Sequence, residues 1–247
     1  MYLGKNELNS WLERIRYFLV FFRYGILVNV FEGNIRYLPF KRKCSCKGLK
    51  FIRHGRTEAT EKNEFMSDIS DNAKLSALGK EELQLPEIGK LICENSPDVV
   101  LVGPLERTKE TYLVLEKYFG EETNVDICPF MRGINNTDWS GKTFEMLDMN
   151  NLMIFLLREC DHNIFVKTTG GDSWGDVLFR CIKLLNHLNR NYCGKKVLLI
   201  SQGSIYQAMK IVLHMHQEPW KNYSAEKMFS LTSSGTNVEY GKIQVLV

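Results

Sequence analysis

The sequence predicts an α/β protein, a three-layer α/β/α sandwich on a mostly parallel sheet. Three observations predict it. First, the apolar runs "LKFI" (Leu49 to Ile52), "VVLVG" (Val99 to Gly103), "VDIC" (Val125 to Cys128) and "KVLLIS" (Lys196 to Ser201) are short, rich in β-branched residues and bounded by Gly, Pro or Asp, as buried strands are. Second, helical stretches separate them, and strands alternating with helices imply a parallel sheet covered on both faces. Third, "TNVEYGKIQVLV" holds two strand-like runs around Gly241 and Lys242, a hairpin signal at a sheet edge.

The first 47 residues read differently from the rest. In "ELNSWLERIRYFLVFFRYGILVNVF", Trp11, Ile15, Phe18, Leu19, Phe22 and Ile26 fall at helical spacing, and Ser10 with Glu13 has the form of a capping box. The unbroken apolar run is only Tyr17 to Phe22, short of the ~18 residues a membrane span needs, and no small-residue cleavage site follows. The expectation is an N-terminal amphipathic helical extension over 1–47 docked on a main domain over 48–247. Arg14, Arg16 and Arg23 beside bulky aromatics also suit contact with a membrane surface or a protein partner.

Within the main domain, "SALGKEELQLPEIGKLICEN" and "LERTKETYLVLEKYF" are predicted as helices. "SWGDVLFRCIKLLNHLNRNY" is a third, with Val177, Cys181, Leu184 and Leu188 as its apolar stripe. The 247 residues are enough for one sizeable core, and 44% hydrophobic with 25% charged residues excludes wholesale disorder. A net charge of +3, with basic residues scattered along the chain, predicts no nucleic-acid partner. Seven irregularly spaced cysteines suit a reducing compartment, and the expected location is cytoplasmic. Cys44 and Cys46 stand one residue apart with no second pair or Cys/His cluster, so no metal site is expected.

In open α/β sheets the chemistry lies beyond the carboxyl ends of the strands. After the first strand comes Arg53-His54-Gly55-Arg56-Thr57; after the second, "PLERTKET" carries Arg107; after the fourth stands "SQGS", Ser201 to Ser204. Two arginines and a histidine thus converge on one edge, and guanidinium forks grip a phosphoryl group well. The expected ligand is a phosphorylated small molecule.

Six motifs stand in a familiar order: "RHGRT", "LSALGKEE", "GPLERTKET", "MRGINNTDWSGKTFEM", "TTGGDSWGDV" and "LLISQGS". From about Lys50 to Tyr240 the chain resembles the histidine phosphatase superfamily, in its phosphoglycerate mutase-like branch. The resemblance implies a phosphomonoester hydrolase with no cofactor or metal, in which His54 attacks phosphorus and carries the phosphoryl group as a phosphohistidine. It implies that Arg53 and Arg107 neutralise the phosphoryl oxygens, with Arg56 and Thr57 on the rim and Gly203 beside the phosphate. Gly55 is expected where a side chain would obstruct the phosphate.

Two positions depart from the family. Its second histidine is replaced by Gln202, whose amide can donate a hydrogen bond without charge, roughly half as strong a contact. Its usual glutamate, the proton donor, is replaced by Gly133. Asp138 in the same insertion is the nearest replacement acid and Glu106 a second, with a loop charge and a helix-face charge as their plain alternatives. These departures leave two functions open: a phosphatase of reduced or specialised rate, or an inactive pseudophosphatase that binds phosphate ligands or proteins. A mutase, which needs efficient rephosphorylation of product, is a weaker third. Specificity is expected to come from the insertion at Asn135 to Asn163 and from the N-terminal extension.

Overall fold

A computed structural model describes residues 46–67, 73–160, 163–217 and 239–246, together with the strand segments 26–29, 34–37 and 222–223. The chain forms β1 (Ile26–Asn29), β2 (Asn34–Tyr37), β3 (Gly48–Arg53), α1 (Glu58–Glu61), α2 (Ala77–Leu83), α3 (Pro86–Asn95), β4 (Val99–Val102) and α4 (Glu106–Leu115). There follow β5 (Asn124–Ile127), α5 (Met149–Phe155), α6 (Trp174–Asn191), β6 (Lys196–Ser201), α7 (Gly203–Gln217), β7 (Asn222–Tyr223) and β8 (Ile243–Val245).

The main sheet has the order β5-β4-β6-β3-β8. Its first four strands run parallel, and β8 closes the edge antiparallel to β3. Strand alternation sorts the core into two layers. Leu49, Phe51, Val99, Leu101, Val197 and Leu199 pack with Val177, Cys181, Leu184 and Leu188 of α6 and with Ile205, Met209 and Val212 of α7. Ile52, Val100, Val102, Leu198 and Ile200 pack on the other face with Leu83 of α2, Ile88 and Ile92 of α3 and Leu115 of α4. Sheet faces covered on both sides are the expected sandwich.

Several elements differ from expectation. The stretch from Ser76 to Asn95 is two helices, because Leu85 turns extended before Pro86 opens α3. Among the described strands β5 is at the edge and pairs only with β4, and all four of its residues are exposed, although the sequence reads as buried. The predicted N-terminal helix lies outside the described residues up to Gly25, but Ile26, its last apolar position, belongs to a strand. "ILVN" pairs antiparallel with "NIRY" of β2, as its β-branched content favours, and β7 joins the same small sheet. The first arm of the tail hairpin lies outside the described residues; its turn and β8 are present.

Candidate active site

β6 lies between β3 and β4, so their carboxyl ends open side by side. Arg53 is level with Ser201. The backbone N–H of His54 extends the ladder by donating to the Ser201 carbonyl at 2.9 Å, and Gly103 N donates to the Ile200 carbonyl at 2.9 Å. A cleft of about 370 Å³ opens beyond these ends, lined by Arg53, His54, Arg107, Gln202 and Gly203 among others. Five of the predicted site residues are thereby brought together.

His54 is 1% exposed. Its Nδ1 lies 2.8 Å from the Gly55 carbonyl, which can only accept, so Nδ1 carries the proton and Nε2 keeps its lone pair. Burial, then the charge of Arg107, and then that of Arg53 hold its pKa well below the ordinary value, while the Gly55 hydrogen bond opposes them. The ring is a neutral imidazole with a fixed tautomer.

Thr111 ties this loop to α4: its Oγ1 accepts from Gly55 N at 3.0 Å and donates to the Arg107 carbonyl at 2.7 Å. Arg107 stands in the first turn of α4 and is 3% exposed. Arg53 is held by Tyr240, which sequence reasoning missed. Nη2 donates to the Tyr240 hydroxyl at 2.6 Å, and the guanidinium carbon lies 3.7 Å from the ring centroid. Gly241 N also donates to the Arg53 carbonyl at 3.0 Å. Burial lowers the Arg53 pKa and the tyrosine raises it, but an arginine stays charged in any case.

Gln202 is 6% exposed and precedes the N-terminus of the 15-residue helix α7, whose dipole favours an anion. Its Oε1 lies 2.9 Å from Ser201 Oγ, which also lies 2.7 Å from the Met131 carbonyl. The one hydroxyl hydrogen serves one of these at a time. Among the described residues Gln202 Nε2 is buried with no hydrogen-bond partner, a donor left over for a ligand.

Gly133 also lines the cleft. A Cβ there would stand 3.1 Å from Gln202 Cβ and 3.1 Å from Ser204 Oγ, so the space of the family's glutamate is narrowed. The loop is buckled in place: Arg180 donates to the Gly133 carbonyl at 2.6 Å and to Asp172 at 2.9 Å, and Asp172 accepts from Asn135 N at 3.1 Å. Ser204 Oγ accepts from Ile134 N at 3.1 Å.

The remaining predicted residues sit elsewhere. Arg56 Nε shares its one hydrogen between the two carboxylate oxygens of Glu82 at 2.9 and 3.0 Å, and Thr57 is buried as the N-cap of α1, its Oγ1 accepting from Thr60 N. Neither lines the cleft. Asp138 lies on the turn Thr137–Trp139, whose Trp139 is fully buried, and it too is outside the cleft lining, as is Glu106. Gly55 has a different reason from the one expected. A Cβ there would meet Leu83 at 2.8 Å and the Gly79 carbonyl at 3.1 Å, so it is glycine to let α2 approach. Beyond Tyr240, the sequence reading missed Glu64 and Asn136 as cleft residues. Both come from irregular turns that carry no periodic signal.

The histidine phosphatase superfamily (branch 1) family model matches residues 49–245. The chain belongs to this superfamily. No curated protein matches it. Among solved structures, α-ribazole phosphatase of Shigella flexneri is similar at 20% identity and a TM-score of 0.59, over 74% of this chain and 83% of that one. Bacillus stearothermophilus YhfR is similar at 18% identity and a TM-score of 0.59, over 72% and 87%. A phosphoserine phosphatase mutant of Entamoeba histolytica bound to phosphoserine is similar at 22% identity and a TM-score of 0.54, over 68% and 82%. At these identities the shared property is the superfamily fold.

Six cysteines lie in the described residues and all are free. Among the described residues no helix is long and apolar enough to cross a membrane, and no three His, Cys, Asp or Glu side chains are grouped to hold a metal.

Proposed function

We propose that the protein is a phosphomonoester hydrolase that works through a phosphohistidine at His54, slower than relatives with a full set of charged donors. One observation carries this reading: the buried imidazole is locked by the Gly55 carbonyl with its Nε2 lone pair free, beside two arginines. Nε2 attacks phosphorus and the ester oxygen leaves; water then attacks the phosphohistidine and returns the free ring. Arg53 and Arg107 take up charge as it spreads over the phosphoryl oxygens, helped by Gln202 Nε2 and the α7 N-terminus. The free thiols support a reducing, cytoplasmic setting.

A specific observation favours a second reading, the inactive phosphate-binding module: the packing of Gln202 and Ser204 against Gly133 narrows the space for an acid where the family keeps one. An aryl phosphate separates the two, since its leaving group departs without a proton. Turnover by the wild type that His54→Ala abolishes, with acid-labile phosphate trapped on His54, is the expected result. Phosphate binding without turnover establishes the module instead.

A further inference from the structure

We propose that Glu64 is the proton donor to the leaving oxygen, an assignment that rests on the phosphohistidine reading above. An alkoxide leaving phosphorus needs a proton as the P–O bond breaks. The arginines do not release one, and the Nε2 lone pair of His54 is spent on the new N–P bond.

Glu64 carries the one carboxyl among the described residues that lines the cleft of His54, Arg53 and Arg107. Among the described residues no hydrogen bond or ion pair engages that carboxyl. The backbone fixes the segment that carries it. Asn63 adopts φ 56°, a left-handed conformation that asparagine tolerates, and turns the chain out of α1. Glu64 N then donates to the Ala59 carbonyl at 2.9 Å. Immediately downstream, Phe65 N donates to the Lys142 carbonyl at 2.8 Å and the Phe65 carbonyl accepts from Gly141 at 2.9 Å. The Phe65 ring packs 5.1 Å from Trp139, so the segment is pinned on both sides of Glu64. Phe65 and Met66 add apolar wall beside it.

The balance of the reaction is simple. As Nε2 bonds to phosphorus, the P–O electron pair passes to the leaving oxygen, which takes the Glu64 proton and departs as the alcohol. In the second half Glu64 carboxylate removes a proton from water, whose oxygen bonds to phosphorus while the N–P pair returns to Nε2.

Glu64→Gln and Asp138→Asn are compared with the wild type on p-nitrophenyl phosphate and on glycerol phosphate, by kcat/KM, with melting temperature as the check on folding. Glu64→Gln should lower kcat/KM on the alkyl ester by about 10²-fold or more and leave the aryl ester within about threefold. A structural defect does not divide substrates by leaving group. Equal losses on both esters, or a selective alkyl loss in Asp138→Asn alone, overturn the assignment. A wild type that neither turns over the aryl ester nor takes phosphate onto His54 overturns the phosphohistidine reading first, and Glu64 with it.

Discussion

At His54, burial and the fields of Arg107 and Arg53 all oppose a second ring proton, which links the site to stability. Above the ordinary histidine pKa neither the native nor the unfolded chain holds that proton. Below it the unfolded chain binds the proton and the native chain does not, until the pH reaches the lowered native value. Stability therefore falls with pH through this window, by up to about 1.4 kcal/mol per unit. Urea unfolding of wild type and His54→Asn at pH 7.5 and pH 5.5 should show a loss that is larger in the wild type. Gly133 gives a second test: Gly133→Ala forces a Cβ against Gln202 and Ser204, and should cost about 1 kcal/mol or more. His54, Arg53, Arg107 and Gln202 were legible because each lies at or beyond the carboxyl end of a strand that its own pattern announces. Glu64 and Tyr240 were not, because a φ at Asn63 and a turn before β8 decide where they point.

Among the elements, α2 and the loop after β3 meet at a contact that admits no side chain. A Cβ on Gly79 would lie 2.2 Å from the Arg56 carbonyl oxygen, and backbone cannot swing away as a side-chain tip can. Gly79→Ala should destabilise by about 2 kcal/mol or more in a urea titration, although alanine gains ~1 kcal/mol in intrinsic helix propensity. The same substitution should weaken phosphate binding, since Arg56 follows His54 and Gly55 directly. The buckle of Arg180 and Asp172 predicts a different signature. Arg180→Met removes the nearer of two arginines from a nearly buried carboxylate, leaving Arg132 at 3.6 Å and the Asn135 N–H, and should cost about 1–3 kcal/mol. The break at Pro86 was legible in principle, yet helical periodicity on both sides outweighed it. The edge position of β5 was not, since apolar content does not reveal how many neighbours a strand has.

For the whole molecule, one sheet edge carries the site, and the crossover that threads β6 between β3 and β4 puts its donors there. The alternating order of strands and helices made the sandwich legible, but strand order depends on long-range pairing that no local pattern encodes. A preformed anion site should make global stability depend on phosphate. At a phosphate concentration 100 times its Kd the gain is about 2.7 kcal/mol, seen as a rise in Tm. The rise should disappear in Arg107→Met, and its persistence there would place the anion elsewhere.

The clamp of Tyr240 on Arg53 joins residues 187 positions apart in the chain. A ribosome working from the amino end releases Arg53 long before the ring that will cover it exists. Until Ile243–Val245 is made, β3 also lacks its neighbour β8, and its backbone edge there is open to any passing strand. The stretch from Tyr240 to Val245 therefore covers that edge and completes the proposed anion cradle together, so a nascent chain halted before Tyr240 would carry an unfinished candidate site and an aggregation-prone border. Capacity to bind phosphate should consequently appear abruptly once Tyr240 is included along a series of arrested chains of increasing length.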